Sequence, residues 1–108
     1  MTRYLLIESR DPCRSHAFGL RCELAAALRT DGAEVTLFLV ENAVLGVRAA
    51  ARLPALDKLA KHGVELLADE FALRERGIGA AEIAAIVKPA HLDTLAGLLA
   101  GGARAIWN

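Results

Sequence analysis

Aromatic side chains are scarce, at 5% of the 108 positions, so any core must be aliphatic. Charge of one sign is missing as well: 13 Lys and Arg balance 13 Asp and Glu. No basic stripe with interleaved aromatics exists, which argues against nucleic acid as a main partner. No apolar run approaches the length of a membrane span, so no membrane association is expected. The opening stretch, Met1-Thr2-Arg3-Tyr4-Leu5-Leu6-Ile7-Glu8, meets a charge too early to read as a signal peptide. The two cysteines, Cys13 and Cys22, have neither metal-binding nor redox spacing. Two free thiols imply a reducing compartment, and the expected location is the cytoplasm. Gly77-Ile78-Gly79 is not a phosphate loop, and neither a GxGxxG nor a P-loop pattern occurs. No cofactor and no metal are expected.

What is abundant is aliphatic: 55% of the chain is hydrophobic, with Ala, Leu and Val supplying the excess. A small domain of this composition often hides apolar surface against another subunit, so an oligomer is expected. A compact monomer rich in Ala helices is the alternative.

Residues 4–7 read as a buried strand ending at Glu8, followed by the loop chemistry of Ser9-Arg10-Asp11-Pro12. The spacing of Ala17, Leu20, Leu24, Ala27 and Leu28 predicts a helix over 15–29 with that stripe buried, stopped by Asp31-Gly32. The continuous apolar run 35–40 suits a strand covered on both faces. Glu41-Asn42 breaks it, and 44–53 reads as helix. Pro54 opens a second helix over 55–61, ended by His62-Gly63. Residues 64–68 form the next strand. Asp69 or Glu70 starts a helix through 75, stopped by Gly77. Residues 81–86 are ambiguous between helix and short strand, 92–99 is helix, and 103–107 a last strand.

This alternation predicts one α/β domain over 1–108, a three-layer fold. Its sheet is five-stranded and mostly parallel, with helices on both faces. Ligands of such sheets bind beyond the C-terminal ends of the strands. The candidate binding residues at that edge are Glu8, His16, Glu41, Asn42 and Glu70, together with Asp69 and Cys13.

Three segments resemble the DsrE/DsrF/TusD-like sulfur-relay family. They are Leu37-Phe38-Leu39-Val40-Glu41-Asn42-Ala43-Val44, the stretch from His62-Gly63-Val64 through Asp69-Glu70 to Arg76-Gly77-Ile78, and the closing helix and strand, Leu92-Asp93-Thr94-Leu95-Ala96-Gly97-Leu98-Leu99 with Ala105-Ile106-Trp107. The resemblance covers nearly the whole chain. It implies a small protein of sulfur trafficking that passes sulfane sulfur as a cysteine persulfide, in tRNA thiolation or sulfur oxidation. It also implies trimers or hexamers, of one chain or of related DsrE-like subunits, and a sulfur-donor protein as partner. In the matching motif the sulfur-carrying cysteine falls at Asp69. A carboxylate cannot hold a persulfide, and cysteine-free subunits occur in the family's mixed assemblies.

Each residue has a plainer reading beside the functional one. Asp69, at a strand-to-helix junction, is well placed as an N-cap. Cys13 lies in the loop before the first helix, near Arg10, Arg14 and His16. Those are surroundings that activate a thiol, so it could be a displaced sulfur acceptor or an incidental loop thiol. Cys22, four residues after Phe18, reads as packing. Glu8, Glu41 and Asp69 with His16 could form an acid–base or metal site, or simply serve as loop formers and caps. His62 and His91 read as exposed residues at helix ends, and Trp107 as an interface or core residue. The chain is thus read as a non-catalytic binding or scaffold subunit, or as a persulfide carrier through Cys13. The alternatives are a small enzyme or metal-binding protein built on the carboxylates, or a structural homo-oligomer.

Overall fold

A computed structural model describes residues 2–107. Five strands form one sheet: β1 (Arg3–Glu8), β2 (Glu34–Leu39), β3 (Glu65–Asp69), β4 (Lys88–Ala90) and β5 (Arg104–Trp107). Their order is β4-β3-β2-β1-β5, and all four pairings are parallel. Leu6 stands opposite Leu37, and Leu37 opposite Leu66, so the three central strands bring their apolar runs into one register.

Alternation along the strands divides the core in two. Leu6, Val35, Leu37, Leu39, Leu66 and Ala68 face α1 (His16–Thr30), α2 (Pro54–Lys61) and α3 (Glu70–Glu75). Leu5, Ile7, Phe38, Val40 and Leu67 face the other way, where Leu95 and Leu98 of α4 (Leu92–Ala100) cover them. The aliphatic core inferred from composition is therefore real, with Phe38, fully buried, as its one large aromatic on the α4 face. Burying such a side chain contributes about 1.5–3 kcal/mol. Among the described residues, no helix is long and apolar enough to cross a membrane.

Local signals end the helices as expected. Pro54 occupies the first turn of α2. Gly32, Gly63, Gly77 and Gly102, each at positive φ, turn the chain out of α1, α2, α3 and α4. The His62 Nδ1 donates to the carbonyl of Lys58 at 2.8 Å, satisfying one of the last carbonyls of α2.

Four expectations need correction. First, α1 buries Phe18, Cys22 and Ala25, not the stripe of Leu20 and Leu24, which are 68% and 38% exposed. The helix has apolar residues on two faces, and the face with the smaller side chains at Cys22 and Ala25 lies against the sheet. Second, residues 44–53 are not an α-helix. They form two 3₁₀ segments, Glu41–Val47 and Ala49–Ala51, separated by an extended Arg48. Arg48 makes an antiparallel bridge with Ile83, and the Ala84 amide donates to the Val47 carbonyl at 2.8 Å. Those tertiary bonds override the helical propensity of the Ala-rich stretch. Third, the ambiguous stretch 81–86 is neither α-helix nor strand: it begins inside a 3₁₀ turn, Ala80–Glu82, and continues into the bridge at Ile83, and the fourth strand is Lys88–Ala90. Its Pro89 is tolerated because β4 is an edge strand. Fourth, of the two roles expected for Trp107 the core one falls, since it is 65% exposed; its exposure leaves the interface role standing.

Candidate functional site

The C-terminal ends of β1, β2 and β3 lie side by side, as the site argument requires. The carboxylates do not converge there. Glu8, Leu39 and Ala68 share one line across the sheet, so Asp69 stands one residue further along, on the alternate side of its strand. Glu8 is fully buried on the α1 side, where its Oε2 accepts the amides of Ser9 at 3.0 Å and Arg10 at 3.2 Å. Asp69 is also buried. Its Oδ1 accepts the Phe71 amide and its Oδ2 the Ala72 amide, both at 3.3 Å. This is the N-cap of α3: two backbone donors left open by the helix start are satisfied by one side chain.

Glu41 is exposed and held at φ 50, where the chain leaves β2 for the 3₁₀ segment. His16 is exposed at the first position of α1. Among the described residues, no three His, Cys, Asp or Glu side chains are grouped to hold a metal ion. Glu8, His16, Glu41 and Asp69 thus occupy one end of the sheet without forming one cluster.

Asn42 and Glu70 each hold a partner that sequence reading did not assign. The Asn42 Oδ1 accepts from Arg76 twice, from Nε at 3.3 Å and Nη2 at 3.0 Å, while Arg76 Nη1 donates to the Ala72 carbonyl at 3.1 Å. Arg76 therefore ties the segment after β2 to α3. Its place in the Arg76-Gly77-Ile78 motif was visible in the sequence, but its partner, 34 positions away, was not. Glu70 pairs with His91, Oε2 to Nε2 at 2.9 Å, joining the start of α3 to the start of α4. Phe71 and Leu92, the next residue along from each, are exposed apolar side chains.

The two thiols differ sharply. Cys13 is exposed in a turn, where its amide donates to Asp11 Oδ1 at 3.0 Å and the Arg14 amide donates to the Asp11 carbonyl at 3.0 Å. Cys22 is buried. Burial first, and the nearby Glu8 carboxylate second, push its thiol up to about 11. At neutral pH Cys22 is therefore a protonated packing residue, as expected, and Cys13 is the thiol a solute can reach. Chemically this end of the sheet offers, among the described residues, one accessible thiol, a carboxylate committed to a helix cap, and two polar ties between neighbouring segments.

The sequence matches the profile of the DsrE/DsrF-like family over residues 4–107. Among solved structures, the fold is similar to the ychN protein from E. coli, at 20% identity with a TM-score of 0.90 and both chains fully covered. It is similar to MTH1491 from Methanobacterium thermoautotrophicum, a protein of unknown function, at 17% identity and a TM-score of 0.86, again over the whole of both chains. It is also similar to BT1422 from Bacteroides thetaiotaomicron, at 14% identity and a TM-score of 0.81, covering 98% of this chain and 94% of that one. No curated protein matches.

Proposed function

The chain belongs to the DsrE/DsrF-like family, and from that premise we propose that it is a cytoplasmic subunit of sulfur trafficking that binds or scaffolds instead of carrying sulfur at the family's cysteine position. The observation that carries this reading is the state of Asp69. It stands where the resemblance puts the family cysteine, and its carboxylate is committed to the Phe71 and Ala72 amides. A side chain in that role stabilises α3 and offers no sulfur chemistry. The proposed assembly is a trimer or hexamer, of this chain or with related DsrE-like subunits. Support comes from the α1 face that this chain leaves in solvent, with Leu20 at its centre. The test is co-purification with a cysteine-bearing relative, with and without Leu20→Glu. No association with any DsrE-like chain counts against the scaffold reading, and association that survives the charge counts against α1 as the face that carries it.

A second reading rests on the exposure of Cys13. Its thiolate would attack the outer sulfur of a donor persulfide, forming a new S–S bond. The donor's S–S bond breaks and the donor leaves as a thiolate. No further oxidant is needed. Mass spectrometry after incubation with a persulfide donor decides between the two. A gain of one sulfur that is lost in Cys13→Ser supports the carrier reading, and no uptake leaves the scaffold reading.

A further inference from the structure

A cavity of about 330 Å³ opens between the 3₁₀ segments after β2, the start of α2 and the stretch that bridges to Arg48. Its lining combines an apolar floor, including Leu53, Leu56 and Ile86, with Arg48, Arg52 and Asp57. That volume lies at the lower end of the range of about 300–1,000 Å³ common for small-molecule sites, and the mixture of apolar wall and a few charged groups is their usual lining.

Both arginines are exposed, with hydrogen-bonding capacity left for a ligand. Arg48 donates from Nε to the Leu45 carbonyl at 2.7 Å, which fixes the root of its guanidinium and leaves both terminal nitrogens uncommitted among the described residues. The Arg52 side chain has no hydrogen-bond or ion-pair partner among the described residues. Asp57 lines the same cavity, yet neither arginine pairs with it. Arg52 is also held in the left-handed region, at φ 48 and ψ 63, a conformation that costs a residue with a Cβ and in which glycine would be at ease. Strained backbone at a non-glycine residue points toward a use for the side chain. Leu53, at the N-cap of α2, supplies no side-chain cap, so the positive end of that helix adds to the field.

We propose that this cavity binds a small amphipathic anion: one carboxylate or phosphate group held in the forks of Arg48 and Arg52, and an apolar body against Leu53, Leu56 and Ile86. The planar guanidinium matches both head groups, because each presents paired oxygens. Asp57 limits the ligand to one acidic group and accepts a hydroxyl or N–H from it. Two guanidiniums outnumber the one carboxylate in the cavity lining, so an anion is favoured there, and the apolar floor gives that anion's body a place that bulk water does not.

The experiment is an amide-shift titration of the intact protein with phenyl phosphate, phenylacetate, inorganic phosphate and benzyl alcohol. Saturable shifts confined to residues 46–57 and 84–86 are expected with phenyl phosphate or phenylacetate, and which binds tighter identifies the head group. The head alone and the body alone should each bind at least about tenfold more weakly, since each lacks one of the two contributions. Arg52→Gly relieves the backbone and so preserves the fold. It should weaken binding by about tenfold, the worth of a charge-assisted hydrogen bond, as should Arg48→Gln. Asp57→Asn should tighten binding. Absence of saturation, shifts centred elsewhere, or Arg52→Gly binding as well as wild type would each overturn the proposal.

Discussion

Pro12 packs so closely on Gly46 that a Cβ at position 46 would lie 2.6 Å from the Pro12 Cγ. The Leu53 Cδ1 would be 2.9 Å from the same carbon. The turn that presents Cys13 is therefore seated directly on the 3₁₀ segment after β2. The Pro12 ring cannot swing aside, so Gly46→Ala should destabilise the protein by about 1–3 kcal/mol, the usual cost of overpacking. Urea denaturation measures the loss. Alkylation of Cys13 should change rate in the same variant, because its turn must shift. A variant as stable as wild type would show that the contact is loose.

Removing the α3 cap by Asp69→Ala should cost about 1 kcal/mol, again read by denaturation. Asp69→Asn should cost less, since an Asn oxygen still accepts an amide. Asp69→Cys restores a thiol at the family position and tests the proposed function in the opposite direction: sulfur uptake from a persulfide donor should appear at residue 69 even when Cys13 is replaced by Ser.

Iodoacetamide at neutral pH should modify Cys13 and spare Cys22 until the protein unfolds, as peptide mapping would show. The buried thiol also makes stability depend on pH. Folded Cys22 keeps its proton up to about pH 11, whereas in the unfolded chain a thiol loses it near pH 9.0. Between those values the folded state holds more protons than the unfolded one, so this contribution is complete below pH 9 and falls away as pH rises toward 11. The wild-type curve minus that of Cys22→Ala should slope downward in that window. A flat difference would mean the thiol is not held protonated by the fold.

Leu20→Glu should leave the chain folded, because its side chain is exposed. If α1 is the assembly face, the same change should lower the mass found by light scattering to that of a smaller species. An unchanged mass would move the interface elsewhere.

The pattern of the sequence carried most of the sheet. Four of the five strands, the alternation with helices and the stops at Gly32, Gly63 and Gly77 are all local signals, and the chain follows them. Asp69 was legible as a cap because capping depends on residue type and the adjacent helix start. Features decided by tertiary partners were hidden. Residues 44–53 look helical alone and are reshaped by the bridge from Arg48 to Ile83. β4 has no alternation of its own and exists because β3 offers it an edge. Helix α1 carries two apolar faces, and hydrophobicity could not tell which would meet the sheet. The ties from Arg76 to Asn42 and from His91 to Glu70 join positions far apart in sequence, so no local spacing announced them.

The strand order carries a consequence for biosynthesis. β1 emerges first from the ribosome, but one of its two neighbours, β5, comes from residues 104–107, and the α4 side chains that cover Leu5 and Ile7 come from just before it. A nascent chain that ends before position 104 can pair β1 with β2 yet leaves its other edge open to any passing strand. Growth of the chain from the N-terminus thus builds this sheet outward in one direction first, through β2, β3 and β4, and the edge beside β1 is covered last. The interval in which that edge is bare is where a holding chaperone would act, and where slow translation of the α4 region would expose the chain to misassociation.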